Sequence, residues 1–445
     1  MGGAWLSGAR YDACGVMDSL GAVMRGQARR IAVVGYGTAG QALAALLQRD
    51  GHRVEVFEQA QEPGPVGAGF LLQPSGLQVL WQMGLLEQVL AHGARVQRLF
   101  GDNPQGRAVM EMRYCDLDRR LFGLGLQRGA LFLLLQQAWE SPVLHAGTRI
   151  VAVDAEGGRV QAQDGRWFEG FDLVVAADGA ASVLRTHAGT PRLDRPYPWG
   201  ALWCLVPRGD WAHADELRQR YHGARKMIGL LPVGTRPDDP QPRMSFFWSL
   251  PRADFERWRE GGVVPWLAEV AALWPQAHDC LAGIGHCAQL ATASYRDAVV
   301  SQWHHGRLVL AGDAAHAMSP QLGQGVNMAL LDAWALCRAL REEASVADAL
   351  PRYQRERQAH VAIYHFWSRW LTPLFQSERD IGARLRDAGM RPLGRLPGGR
   401  GHMLRVLSGT QHGWLGRLAL AQEFLSALEA APPAGVAAAA AGAPA

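Results

Sequence analysis

The feature that most constrains this chain is a run of three glycines, at fixed spacing, between a strand and a helix. Ile31-Ala32-Val33-Val34 is a short apolar run of the kind a buried parallel strand needs, and Gly35-Tyr36-Gly37-Thr38-Ala39-Gly40 follows it. From Thr38 to about Arg49 apolar residues (Ala42, Ala45, Leu46) recur at helical spacing. Gly51 stops that pattern, and Val54 to Glu58 alternates as a second strand. The spacing predicts a β-α-β unit. In such a unit the first glycine permits a tight turn, the second lets the backbone approach a pyrophosphate, and the third lets the helix pack on the strand. The helix N-terminus then turns its free N–H groups and positive dipole end toward the phosphates. Glu58, eighteen residues after Gly40, ends the second strand, where a carboxylate accepts from both hydroxyls of an adenosine ribose. It also disfavours a 2′-phosphate, so a dinucleotide here is FAD or NAD rather than NADP. The glycines alone would fit any turn of small residues; strand, helix, second strand and acid together predict dinucleotide binding.

Two later segments repeat the arrangement of an apolar strand ending in an acid. Phe171 to Ala177 leads into Asp178-Gly179-Ala180-Ala181-Ser182-Val183-Leu184-Arg185. Read alone, this is either a ligand-facing edge or a plain Asp-Gly turn. Leu308 to Ala311 leads into Gly312-Asp313-Ala314-Ala315-His316 and then Pro320-x-x-Gly323-Gln324-Gly325-Val326-Asn327, which opens a long helix. Strand ends of open α/β sheets are where ligands bind, and that helix N-terminus suits a group that becomes anionic, as the N1–C2=O2 edge of a reduced flavin does. His316 reads as a packed or capping histidine rather than a catalytic one.

With these three motifs in this order, the chain resembles the FAD-dependent aromatic hydroxylases, the single-component class typified by para-hydroxybenzoate hydroxylase. The resemblance runs from about Arg30 to Leu420. It implies that Gly35, Gly37, Gly40 and Glu58, with Ala39 and Gln59, hold the ADP half of FAD. It implies that Arg128 contacts the cofactor, that Asp178 and Gly179 lie near FAD and the nicotinamide route, and that Gly312 and Asp313 hold the ribityl and pyrophosphate region. Pro320, Gly323, Gln324, Gly325, Val326 and Asn327 would line the isoalloxazine ring. No residue is assigned a catalytic role beyond these. NADH or NADPH would reduce the flavin, O₂ would add to give a C4a-hydroperoxide, and one oxygen would pass to an aromatic or quinone-like substrate. The family often has Arg where Gln59 stands, and Asn where Ser75 follows Pro74.

The implied layout is a mixed α/β chain: a Rossmann-like FAD-binding domain, an inserted β-sheet substrate domain and C-terminal helices. Residues 1–28 read as a flexible extension. The FAD-binding domain would take 29–95, 126–190 and 296–345, and the substrate domain 96–125 and 191–295. A helical region would span 346–430, and the Ala/Gly/Pro-rich 431–445 would be disordered. Leu77–Leu90 reads as one helix, 191–295 as aromatic strands and turns, and Gly234–Pro242 as the loop of a long hairpin. In the insertion Trp203 and one face of Phe246/Phe247 are candidates for the substrate wall, with Pro320 beside them.

Composition excludes several classes. A formal net charge of +4 gives no basis for a nucleic-acid partner. The six cysteines form no C-x-x-C pair or Cys/His cluster, so no metal site is expected. The chain carries no apolar run of ~18 residues, so no transmembrane helix is expected, and a cytoplasmic location is the default. Within 351–418 twelve arginines face four acids, with aromatics interleaved. That segment predicts a charged helical cap or homodimer surface, or else a peripheral membrane contact. Relatives of the same fold leave alternatives: a flavin dehydrogenase or reductase, a flavin halogenase, or a non-catalytic flavin-binding module. A halogenase needs a lysine in the FAD-binding part. Lys226 is the only lysine in the chain; it falls in the insertion and reads, with Arg225, as solvated.

Overall fold

The computed structural model describes residues 28–65, 67–378, 380–393 and 398–432; the expected N-terminal extension, apart from residue 28, and nearly all of the expected disordered tail lie outside them. The glycine-motif strand Arg30–Val34 sits inside a six-stranded sheet. The order across it is His304–His305, Leu308–Leu310, Leu173–Ala176, Arg30–Val34, Arg53–Phe57 and Val143–His145. All neighbours are parallel except the His304–His305 edge. Continuous burial of Ile31–Val34, Leu173–Ala176 and Leu308–Leu310 follows from helices covering both faces. Val34 pairs with Ala176, which pairs with Leu310. The three acid- or glycine-bearing turns therefore leave the sheet at one edge. This is the mixed α/β architecture that the motifs predict.

The second body is a seven-stranded sheet: Ala291–Val300, Pro191–Pro207, Asp239–Pro251, Lys226–Arg236, Glu216–His222, Arg98–Asp102 and Ala108–Arg113. It runs to Val300, past the expected limit at 295. A small sheet of Gly69–Leu72, Gly123–Gln127 and Ala94–Val96 lies between the two bodies. Close approach is the reason for glycine there: a Cβ on Gly125 would lie 1.8 Å from the Pro232 carbonyl oxygen.

Four local expectations change. Leu77–Leu90 is two helices, Pro74–Gln82 and Leu86–His92, because Gly84 takes φ +77° between them. The hairpin loop is shorter than Gly234–Pro242: pairing continues to Arg236 opposite Asp239, through register shifts around Gly234. Ion pairs Arg236–Asp238 and Arg243–Asp239 hold that extension. The insertion also carries helices Phe255–Gly261, Val263–Leu273 and Pro275–Asp279. Val263, Trp266 and Val270, at helical spacing, bury against the sheet, where Trp266 meets Phe246 and Trp248 edge-on. A small hairpin, Gln411–His412 with Gly416–Arg417, interrupts the C-terminal helices. Lys226 is not simply solvated: its Nζ lies 2.7 Å from Glu269 and 4.8 Å from the Trp248 ring centre.

Candidate active site

At the sheet edge the glycines divide into two kinds. Gly35, at φ +102°, and Gly40 are packed: a Cβ on the first would lie 2.4 Å from the Ala177 oxygen, and on the second 1.9 Å from the Gly35 oxygen. Gly37, Gly179, Gly323 and Gly325 would have no atom within 4 Å of an added Cβ. The first pair holds turns against each other, while the second set borders open space, which a ligand's approach requires. Ala39 is packed, its methyl lying against the Gly312 position. Glu58 closes the glycine loop: its Oε2 accepts from the Tyr36 N–H at 2.8 Å and its Oε1 from the Ala60 N–H at 2.9 Å. Gln59 is exposed.

Asp178 accepts from the Val183 N–H at 3.1 Å through Oδ2, while its Oδ1 is buried. Burial raises its pKa. Arg185, wholly buried, ties the second turn to the third. Its guanidinium donates to the carbonyls of Ala180, Asp313 and Ala314 at 2.7–2.9 Å and pairs with Asp194 at 3.1 Å. Sequence reasoning reached Arg185 only as the end of a motif; its role depends on carbonyls 128 residues away.

The third turn hangs on Asp332, which is fully buried in the long helix Gly325–Glu342. Its Oδ2 accepts from the Gly312 N–H at 2.7 Å and lies 2.6 Å from His316 Nε2, while Oδ1 accepts from Arg357 Nε at 2.7 Å. Burial alone would raise this carboxyl, but His316 and Arg357 outweigh it and hold it at about 2. Arg357 also bonds His360, whose Nε2 is 3.1 Å from the Gly409 oxygen. His316 is thus a packed partner of Asp332, 2% exposed. Arg357 and His360 carry no sequence signal, since they sit in an arginine-rich segment that reads as a charged helical cap, homodimer surface or membrane contact.

Gly312 at φ +62° then aims the Asp313 side chain into the cleft, where it is exposed yet enclosed by protein. Burial raises its pKa, opposed by His316, Arg128 and Arg185. The Arg128 guanidinium is similarly placed. It stands 5.6 Å from the Phe70 ring centre and makes no hydrogen bond or ion pair with a described residue. Burial disfavours its charge, and Tyr295 and Asp313 offset that. Charged groups that are open to water but walled by protein line a cavity rather than a surface.

The loop from Ser319 to Asn327 is pinned at both ends. Ser319 Oγ is 2.7 Å from Ser368 Oγ and 2.8 Å from Thr372 Oγ1; Gln324 Nε2 donates to the Leu407 oxygen at 2.6 Å. Asn327 Oδ1 accepts from the Gln73 N–H at 2.8 Å and its Nδ2 donates to the Leu71 and Gly323 oxygens. The side chains of Gln324 and Asn327, expected at a flavin ring, are therefore turned into the protein to hold the loop. What faces the opening is the Pro320–Gly323 turn, Gly325, and the N–H groups of Gly325, Val326 and Asn327, which bond no described residue.

In the insertion, Trp203 and Phe247 share one face, their ring centres 5.1 Å apart. Trp203 Nε1 donates to the Tyr295 hydroxyl at 3.1 Å. Phe246 points to the opposite face, fully buried against Trp266, and so is core rather than wall. Tyr295, whose phenol burial pushes up, joins Arg128 and Asp313 in the cleft.

Known proteins match this arrangement. The family model described as FAD binding domain matches residues 28–364. A 3-amino-4-hydroxybenzoate 2-monooxygenase of Streptomyces platensis is 32% identical over 82% of this chain and 93% of its own length. An FAD-dependent urate hydroxylase of Klebsiella oxytoca is 27% identical over 73% of this chain and 85% of its own. A Klebsiella pneumoniae protein crystallised with FAD and uric acid shares the fold, with a TM-score of 0.73 at 22% identity, covering 87% of this chain and 97% of that one.

Asp332→Asn tests the anchor of the third turn. A carboxylate held below its ordinary 3.8 adds stability above that pH and gives it up as pH falls toward 2. Denaturant unfolding at neutral pH should show a loss of about 3–5 kcal/mol, with the gap to the parent closing below about pH 4. A gap independent of pH would contradict the assignment.

Proposed function

The chain belongs to the FAD-dependent aromatic hydroxylases, and from that premise we propose which of its residues hold the cofactor and the substrate. It is an FAD-dependent monooxygenase that hydroxylates a small aromatic molecule with O₂ and a reduced nicotinamide nucleotide. The observation that supports the placement is open backbone at Gly37, Gly179, Gly323 and Gly325, together with a guanidinium and a carboxylate, Arg128 and Asp313, that pair with no described residue and act on each other electrostatically. The chemistry that bound FAD supplies is electron transfer from the nicotinamide to O₂ and delivery of one oxygen atom to the ring.

The chain's own groups do the rest. The Gly37 backbone and the N-terminus of Thr38–Arg49 receive the pyrophosphate. Glu58 keeps acceptor capacity for ribose hydroxyls beside its two backbone bonds. Asp313 accepts from the ribityl chain, Arg128 offsets phosphate and carboxylate charge, and Asp178 and Gly179 border the nicotinamide route. The N–H groups of Gly325, Val326 and Asn327 support negative charge at the ring edge. Pro320 and Gly323 shape its floor. On the substrate side Trp203 and Phe247 form the wall. Tyr295 accepts from Trp203 and so keeps its own proton to donate to a substrate oxygen. This apolar wall keeps water from the reacting centre.

Asp313→Ala and Gly37→Val should each purify as folded protein lacking flavin, read by the yellow absorbance. Full flavin content in both contradicts the placement. Tyr295→Phe should keep its flavin and raise KM for an accepted aromatic roughly three- to tenfold, the loss of one hydrogen bond. An unchanged KM removes Tyr295 from the substrate site.

A cytoplasmic setting and a peripheral membrane contact are part of the same proposal. Among the described residues no helix is long and apolar enough to cross a membrane. Phe366 packs edge-on against Trp414 and lies near Trp370, both largely exposed with Leu415, in the arginine-rich C-terminal part. Aromatic side chains with flanking cations suit an anionic lipid surface. Sedimentation with phosphatidylserine vesicles at low salt should carry the protein down; recovery in the supernatant contradicts the contact.

A further inference from the structure

Behind the third turn, on the side away from Asp313, lies a cavity of about 860 Å³. The short helix Asp313–His316 separates the two spaces: its first residue faces the cleft, and Ala315 and His316 line the cavity. Val300 and Trp303 form one wall, and His365, Phe366 and Trp370 of the helix Val346–Phe375 form another. The volume is that of a small-molecule site.

Two features indicate an occupant. His316 Nδ1 and His365 Nε2 are both buried polar atoms that bond no described residue, and both residues line this space. Buried polar nitrogens are ordinarily satisfied, because leaving one unpaired forfeits the hydrogen bond it would make in water. His316 is committed through its other nitrogen to Asp332, so it cannot turn to find a partner elsewhere. His365 is held neutral: burial first, then His316 and Arg369, push it down to about 3.

The charge is one-sided. Arg192 and Arg369 line the cavity, and neither forms a hydrogen bond or ion pair with a described residue. Among the described residues no carboxylate lines it; Asp297 is the acid that Arg369 influences from nearby, together with Arg195. The remaining surface is aliphatic and aromatic. Trp303 is fixed by its Nε1 bond to the Val300 oxygen, and its ring stands 5.2 Å from the His316 ring.

From this geometry we propose that the cavity is a second ligand site, separate from the flavin cleft, that takes a small aromatic monoanion. Its ring lies against Trp303, Phe366 and Trp370, and its acid group meets Arg369 and the Nε2 of His365.

The test is calorimetric titration of 1-naphthoate into the FAD-loaded protein and three variants. Ala362 is exposed and lines the cavity, so Ala362→Trp fills it from the surface without disturbing the core. Arg369→Glu reverses the charge, and Arg369→Lys keeps it. The parent should show a saturable site that Ala362→Trp removes, that Arg369→Glu weakens by about tenfold or more, and that Arg369→Lys largely keeps. Flavin content and nicotinamide oxidation should be equal in all four proteins. Absence of saturable binding overturns the proposal. So does parent-like affinity in either Ala362→Trp or Arg369→Glu, because the naphthoate would then sit elsewhere, the substrate cleft included. Should Ala362→Trp not fold, Arg369→Glu decides alone.

Discussion

The buried carboxylate of Asp332 is the point on which the site depends. It has no solvent exposure and three donors or partners, drawn from a strand end, a turn and a distant helix. A charge so placed is tolerable only while its partners stay in position. The arrangement therefore fixes Gly312, His316 and Arg357 relative to one another, and through Gly312 it fixes the direction of Asp313. Arg185 does the complementary work with the opposite charge, collecting the carbonyls of two turns at one guanidinium. Two buried charges of opposite sign thus hold the second and third turns at the sheet edge together before any ligand binds.

With that frame rigid, small residues decide what is open. Gly35 and Gly40 bring turn, helix and strand into contact; Gly37, Gly179, Gly323 and Gly325 leave backbone facing space. Arg128 and Asp313 can remain unpaired by protein because each offsets the other's field across the cleft. The proposed substrate wall lies on a separate sheet from the proposed flavin site, so the two can vary independently. That separation agrees with relatives whose names give urate and aminohydroxybenzoate as substrates.

How much of this was legible follows from how local each constraint is. The glycine loop, Glu58 and the long helix after Gly325 are written in contiguous residues, because a turn with positive φ or an approaching backbone demands particular residues at particular spacing. The side-chain work of Gln324 and Asn327 was not legible: both belong to the expected motif, yet they point to Leu407 and Gln73, set by folding and not by spacing. Alternation predicted that Phe246 and Phe247 face opposite ways, but not which face carries Trp203. The helix Val263–Leu273 was hidden by its aromatic, β-rich surroundings, and Gly84 split a helix whose apolar period runs straight through. Arg357 and His360 were unreadable in principle, since burial of a cation in an arginine-rich helix depends on a partner twenty-five residues away.

Oxygen transfer from O₂ to an aromatic ring is the chemistry to which every placement above leads. It is read most directly by turnover under ¹⁸O₂ with NADH or NADPH, a panel of phenols, quinolones and polyketide aromatics, and mass spectrometry of the products. An aromatic product carrying one oxygen-18 atom is expected, formed only with reduced nicotinamide present. Nicotinamide oxidation across the panel with no labelled product, or with oxygen drawn from water, would contradict it.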